Sequence, residues 1–361
     1  MKKIDLEAHF YTEEYVDFLL SRKEYPKMEM VTDKTGEKWV CLKYRPNLWA
    51  QNTIRLHDQL LDLGENRLRD MDANGIDIQV LSLISPGCEQ FEAAEAVPLV
   101  QKINDELARV IRKYPDRFIG LAALAPQDPE RAAAELERAV VDLGLRGAKI
   151  NSNVSGEYLD NRKYWGIFKK AESLGVPLYI HPSIPSPAML EPYAAYGYAL
   201  AGPSLGFAAE TSLHAMRLIL SGVFDHYPSL KVILGHLGEG LPFWFSRMDY
   251  FWEIQGHQSE SNPKFARKPS DYFKDNFIVT TSGIYFFPAF LCTFLALGAD
   301  RMAFAVDYPF DRNQQAVQFM NSIPISDRDK EKIFFLNTQE LLRENPNRGL
   351  RSNSEGCSKE D

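Results

Sequence analysis

The stretch Ile4-Asp5-Leu6-Glu7-Ala8-His9-Phe10 decides how the rest of the chain is read. Ile4, Leu6, Ala8 and Phe10 alternate with Asp5, Glu7 and His9, which is the period of a β-strand. In a strand, Glu7 and His9 project to the same side, about 7 Å apart along the chain. A carboxylate and an imidazole so placed can chelate a divalent metal. Taken alone, a Glu-x-His pair is more often a half-buried edge strand with its polar residues in water. The choice between the two depends on what ends the other strands.

Apolar runs suited to buried strands recur at 77–83, 118–124, 147–150, 177–181, 231–236, 277–282 and 302–307. Helical patterns separate them. One helix starts near Gln59 and closes at Gly75, and another runs from 93 to 114. The helix after Asp128 has an N-cap carboxylate, Pro129 at its first position and Gly144 beyond its end. Further helices are expected over 164–174, 210–223, 241–255 and 288–297, and from Asn313 and Asp327. Eight strands alternating with helices, with no linker between them, predict a (β/α)8 TIM barrel in a single domain over residues 1–344. A small insertion follows strand one: residues 11–52, with a Thr35-Gly36 turn and a strand over 38–44, form a hairpin over a pocket mouth. The loop 183–206 is long for a compact domain, and such loops usually carry function. Residues 345–361 read as a loose polar tail.

The bulk composition excludes several classes. The 361 residues carry a net charge of −8, and the basic residues are dispersed among acids, so no nucleic-acid partner is expected. No apolar run reaches the roughly 20 residues of a membrane helix. Met1-Lys2-Lys3 leads straight into the first strand, so no signal peptide is expected. Cys41, Cys88, Cys292 and Cys357 have no metal-type spacing and read as reduced thiols of a cytoplasmic protein.

In a barrel of this kind the active site lies at the C-terminal ends of the strands. Glu7 and His9 lie near the end of strand one. His181 ends strand five, His236 ends strand six and Asp307 ends strand eight. These imidazoles and carboxylates on one rim make a site for one divalent ion.

Several motifs resemble the amidohydrolase superfamily, in its non-hydrolytic decarboxylase branch. They are Leu6-Glu7-Ala8-His9-Phe10, Arg67-Leu68-Arg69-Asp70-Met71-Asp72 running on to Gly75-Ile76-Asp77, His181-Pro182, Gly235-His236-Leu237-Gly238-Glu239-Gly240-Leu241-Pro242-Phe243, and Asp307-Tyr308-Pro309-Phe310. The branch includes γ-resorcylate, 2,3-dihydroxybenzoate and 5-carboxyvanillate decarboxylases, with aminocarboxymuconate semialdehyde decarboxylase more distant. The resemblance extends to about Leu342. Glu7 stands where hydrolases of the superfamily usually have the first His of His-x-His, which favours the aromatic-acid decarboxylases. Lys149 is read as structural, so one metal is expected rather than two.

The resemblance implies that Glu7, His9, His181 and Asp307 are metal ligands for Mn2+ or Zn2+. It implies that His236 and Glu239 form an imidazole–carboxylate dyad at the substrate, and that the protein is a homodimer or homotetramer. Arg247 is the candidate partner of the substrate carboxylate, and Arg55 is a candidate to reach a neighbouring subunit's pocket. Tyr285, Phe286, Phe287 and Tyr308 could sandwich a flat ring. The reaction expected is decarboxylation of an ortho-hydroxylated aromatic acid, with Asp307 as proton donor to the ring carbon. The alternatives are a metal-dependent hydrolase of a lactone or cyclic amide, and a non-catalytic barrel with a structural metal.

Overall fold

A computed structural model describes residues 1–255 and 267–343, so the expected tail lies outside the described residues. The first strand, β1 (Ile4–Phe10), is followed by an antiparallel sheet of β2 (Lys27–Thr32), β3 (Lys38–Arg45) and β4 (Leu48–Thr53). The remaining strands are β5 (Ile78–Leu83), β6 (Phe118–Gly120), β7 (Ala122–Ala123), β8 (Ala148–Asn151), β9 (Leu178–His181), β10 (Val232–Leu234), β11 (Phe277–Thr280) and β12 (Met302–Ala303). They pair in parallel, with β1-β5-β6 in one sheet and β7 through β12 in sequence order in another.

Backbone hydrogen bonds join the two sheets at both ends. Leu121 N–H donates to Leu81 O at 2.9 Å, and Ala122 N–H turns to Gly147 O at 2.9 Å, so β6 and β7 are one stave that changes neighbours at Leu121. On the far side Leu6 N–H donates to Phe304 O at 3.0 Å, His9 N–H to Tyr308 O at 2.7 Å, and Asp307 N–H to Glu7 O at 2.9 Å. These bonds close the (β/α)8 barrel and bring β1 beside the stave that begins with β12.

The simple alternation expected of β1 is interrupted. Its register against β5 shifts between Asp5 and Ala8. Ile4 and Leu6 pack with Val80, Leu121, Tyr179, Ile233 and Ile278 in a cluster that fills the barrel, whereas Ala8 and Phe10 join the layer under the helices. The bulge changes the phase of the strand, so that Glu7 and His9 follow Leu6 on the interior side. Asp5 steadies the irregularity by accepting the N–H groups of Glu7 at 3.1 Å and Val306 at 2.9 Å and the Gln79 amide at 3.1 Å. Burial first, opposed by those donors, pushes its carboxyl up to about 7.

Most helix punctuation falls where the sequence indicates. Thr12 caps the helix Glu13–Ser21, and Asp128 caps Pro129–Val141 through the Arg131 N–H. Gly75 and Gly175 end their helices in the left-handed conformation. Three expectations change. The helix expected from Gln59 to Gly75 is two, Ile54–Leu61 and Glu65–Asn74, because the Asp62 carboxylate takes the N–H groups of Gly64 and Arg67 and breaks the path. The hairpin over the pocket is a three-stranded sheet. The loop 183–206 contains short helical turns at Glu191–Tyr196 and Tyr198–Ala201.

His214, on the helix Gly206–Leu220, is fully buried and neutral. Its Nε2 accepts the Leu159 N–H at 3.1 Å. Burial, with the Arg217 charge, pulls its pKa down to about 3. The unfolded chain protonates this imidazole near pH 6.5 and the folded chain does not. Stability is therefore lost as pH falls below 6.5, by about 1.4 kcal/mol per unit from this group. Urea unfolding at pH 7 and pH 5 should show the protein losing about 2 kcal/mol more than His214→Gln over that interval. Parallel pH dependences of the two proteins would contradict this.

Candidate metal centre and cavity

Glu7, His9, His181 and Asp307 meet at the C-terminal rim, and one ligand atom from each lies within 4.8 Å of the others. His181 Nε2 is 3.3 Å from Glu7 Oε1, His9 Nε2 is 3.8 Å from the same oxygen, and His9 Nε2 is 2.9 Å from Asp307 Oδ1. The donors face one another rather than outside partners. Glu7 Oε1 and His9 Nε2 are buried and make no hydrogen bond that satisfies them. A buried carboxylate oxygen left so is costly, and a cation at the centre of this set would satisfy it. Two imidazole nitrogens and two carboxylate oxygens fit one divalent ion.

Each side chain is held from behind. Glu7 Oε2 accepts from Thr280 Oγ1 at 3.2 Å and from Ser282 Oγ. His9 Nδ1 lies 3.3 Å from Ser82 Oγ, and His181 Nδ1 lies 2.9 Å from Pro182 O and 3.2 Å from Asn151 Oδ1. Asp307 has a left-handed backbone, φ 73°, as its N–H reaches across to strand one. That conformation is costly for a non-glycine residue and persists only where its surroundings fix it.

His236 lies just past the end of β10 and begins a run of positive φ through Gly240. The tight turn brings Glu239 Oε1 to 2.8 Å from His236 Nδ1 and points Nε2 at Asp307 Oδ2, 3.8 Å away. Gly283 leaves the ring its space, since a Cβ there would come within 2.7 Å of His236 Cδ2. The side chains of Asp307 and His236 keep 19% and 18% exposure, against 5% or less for Glu7, His9 and His181. Asp307 and His236 are thus the members of the cluster that present most surface to a substrate.

The electrostatics are mutual. Burial opposes ionisation of Glu7, but the His236 charge and the His181 and His9 rings hold its carboxyl well below the ordinary range. Asp307 is lowered in the same way, against burial, by His236 and His9. His236 is raised well above an ordinary imidazole, against burial, by Glu239 and Glu7. Burial and the nearby Lys149 charge pull His181 down to about 3, which keeps it neutral, the form in which an imidazole can ligate a metal.

A cavity of about 520 Å3 opens over this centre, within the range of small-molecule sites. Its deep end is polar, with His181, His236, Glu239, Asp307 and Asp311. Its outer wall comes from the insertion (Leu42, Tyr44, Ala50, Asn52), the long loop (Tyr198) and the start of the helix Gly206–Leu220 (Phe207). Tyr44 and Tyr198 stack with centroids 6.1 Å apart and planes 9° apart, so the two excursions meet above the barrel. No lysine or arginine is among the described residues lining it.

Two expectations are not met by the cavity of the single chain. Arg247 is not at the cavity. It is exposed on the helix Leu241–Gln255, whose Leu241 and Phe245 take the buried face, and its guanidinium lies over the Phe251 ring at 4.7 Å. Tyr285, Phe286, Phe287 and Tyr308 do not sandwich a ring in it either. The Tyr285 hydroxyl is tied to Val306 O, Phe286 is 62% exposed, Phe287 lies at the surface, and Tyr308 packs under Arg67. The aromatic lining is Tyr11, Tyr44, Tyr198, Phe207 and Phe310. Arg55 is exposed and lies outside the lining of this cavity. Ser82, Ser282, Thr280 and Asn151 carry no sequence signal that marks them as site residues, yet they hold the cluster from behind, and Asn151 ends β8 just as His181 ends β9.

Comparison with known proteins places this geometry. Residues 4–343 match the family described as amidohydrolase. A γ-resorcylate decarboxylase of Polaromonas sp. is 38% identical over 352 residues, covering 95% of this chain and 99% of that protein. Among solved structures, a 5-carboxyvanillate decarboxylase from Sphingomonas paucimobilis superposes with a TM-score of 0.84 at 33% identity, over 95% of this chain and 99% of that one. A dihydroxybenzoic acid decarboxylase from Polaromonas sp. JS666, with bound manganese and the inhibitor 2-nitroresorcinol, gives 0.80 at 37% identity, over 94% and 96%.

Proposed function

The chain belongs to the amidohydrolase family, and from that premise we propose that it is a metal-dependent decarboxylase of a hydroxylated aromatic carboxylic acid. The observation that carries this is the convergence of Glu7, His9, His181 and Asp307 under a cavity whose polar floor also presents the His236–Glu239 dyad. Similar proteins that act on γ-resorcylate, 5-carboxyvanillate and dihydroxybenzoic acid support it over hydrolysis. Glu7, His9, His181 and Asp307 would hold one Mn2+ or Zn2+ ion. Such an ion would supply Lewis-acid charge for an anionic substrate.

The chain's own residues do the rest. Asp307 is held ionised in the free protein, so its catalytic proton comes from the substrate, whose ortho hydroxyl passes a proton to the carboxylate as it docks. Asp307 then returns that proton to the ring carbon bearing the carboxylate. The bond to the carboxylate breaks, its electron pair restores the aromatic ring, and CO2 departs. His236, oriented by Glu239, donates from Nε2 to the phenolate oxygen as charge moves through the ring. The aromatic outer wall excludes water and accepts the flat face. No lysine or arginine is among the described residues lining the cavity, so the positive charge it offers an acid substrate is that of His236. We read the protein as a cytoplasmic homodimer or homotetramer in which the exposed Arg55 of each copy serves its neighbour's cavity.

The test is a panel with Mn2+: CO2 release from ortho-hydroxybenzoates, and hydrolysis of lactones and cyclic amides. Turnover confined to the hydroxylated acids, abolished by chelation and restored by Mn2+, is expected. Lactone hydrolysis without CO2 release would replace this reading with the hydrolase.

A further inference from the structure

Behind His181 lies a buried polar cluster that the mechanism above does not use. Asn151 ends β8 and stands opposite His181 in the parallel register. Its Oδ1 accepts from Ser85 Oγ at 3.0 Å and from the Lys149 ammonium at 3.1 Å, and lies 3.2 Å from His181 Nδ1. Its amide nitrogen donates to both Glu89 carboxylate oxygens, at 3.2 and 3.0 Å, and its backbone N–H donates to Glu89 Oε1 at 2.7 Å. Glu89, Asn151 and Lys149 are each 2% exposed or less. Gly87 makes this possible: its φ is +64°, and a Cβ there would stand 2.0 Å from Asn151 Nδ2 and 2.1 Å from Glu89 Oε2.

The two ends of an asparagine amide have the same shape, and their partners decide which way it points. Lys149 can only donate, so it requires the oxygen. The Glu89 carboxylate accepts, so it requires the NH2. The oxygen therefore faces His181, whose Nδ1 must carry its proton. Pro182 O, on the same nitrogen, makes the same demand. His181 Nε2 is left with its lone pair, aimed into the ligand cluster beside Glu7 Oε1. Glu89 reaches neither cavity nor ligand cluster directly.

We propose that Glu89, acting through Asn151, is a positioning residue that holds His181 as the Nδ1–H tautomer and sets the protein's affinity for its metal; this rests on the metal-centre reading above. Partners of this kind behind a ligating histidine typically change metal affinity by about 10–100-fold.

Two measurements test it. Nitrogen-15 NMR of the metal-free, histidine-labelled protein should show His181 protonated at Nδ1; protonation at Nε2 would overturn the assignment without any variant. Mn2+ affinity, read from the EPR signal of the free aquo ion, should fall by about 10–100-fold in both Glu89→Gln and Asn151→Asp. The double variant Glu89→Gln/Asn151→Asp exchanges the groups, so that the new amide donates to the new carboxylate and the carboxylate meets His181 Nδ1–H. It should recover to within about threefold of the unsubstituted protein. Unchanged affinity in folded Glu89→Gln, or a folded double variant no better than the singles, would overturn it. Failure of the metal-centre reading looks different: the unsubstituted protein itself would take up no Mn2+.

Discussion

Asp307→Asn is expected to lower decarboxylation by about a thousandfold or more, with the barrel intact. The carboxylate has two duties in the proposed reaction. It contributes an anionic oxygen to the ligand set, 2.9 Å from His9 Nε2, and it relays a proton from the substrate hydroxyl to the ring. An amide keeps the shape and performs neither. The backbone at this position should tolerate the change, since asparagine is among the residues that best accept a left-handed φ such as the 73° here. Kinetics alone would not separate the two duties, so bound manganese must be measured on the same sample. A variant that retains the ion and has lost turnover isolates the proton relay. Activity within a few-fold of the unsubstituted protein would remove Asp307 from the mechanism.

The second large effect concerns stability. Arg67 heads the largest fully buried side chains, at 1% exposure. Its Nε donates to Asp62 O at 2.7 Å, and its Nη2 donates to His9 O at 2.7 Å and Gln59 O at 2.9 Å. The guanidinium also lies 4.8 Å from the Tyr308 ring centroid. Burial lowers its pKa to about 10, so it stays charged at neutral pH. It thus pins together the end of β1, both ends of the break at Asp62 and the residue after Asp307. Arg67→Ala leaves buried carbonyls unsatisfied and a void, at a cost of about 3–5 kcal/mol. Urea denaturation should report that loss, and a shift below about 1 kcal/mol would show that the arginine is not structural in this sense. Manganese affinity should fall as well, because His9 and Asp307 both depend on the backbone that Arg67 braces.

The fold was readable because the strands are apolar runs separated by well-punctuated helices. Asp128-Pro129 and Gly175 mark helix boundaries within a residue or two. The positional rule that metal-type residues end barrel strands found Glu7, His9, His181, His236 and Asp307, which the structure brings to one rim. That rule does not reach Asn151, since an amide is not a usual ligand, although it ends its own strand beside His181. Arg247 stands outside its own chain's cavity because the packing of Leu241 and Phe245 sets how its helix is turned, and an arginine on an aromatic-rich helix reads the same in sequence either way. The bulge in β1 left no mark either. The sequence alternates without a break, and the phase change comes from pairing with neighbours on both sides. The cavity's aromatic wall was out of reach for a related reason. Tyr44 and Tyr198 are 154 positions apart and meet only once both excursions are folded.

That stacked pair has a consequence for how such a protein can diversify. The proposed ligands and proton relay stand at the ends of the staves, whereas the roof over them is made by two segments that contribute nothing to closing the ring of strands. Lengthening or exchanging either segment would reshape the guest that is admitted and leave the reaction itself alone. Chemistry and selectivity are inherited on separate pieces of the chain, and the seam between them runs through the contact of Tyr44 with Tyr198.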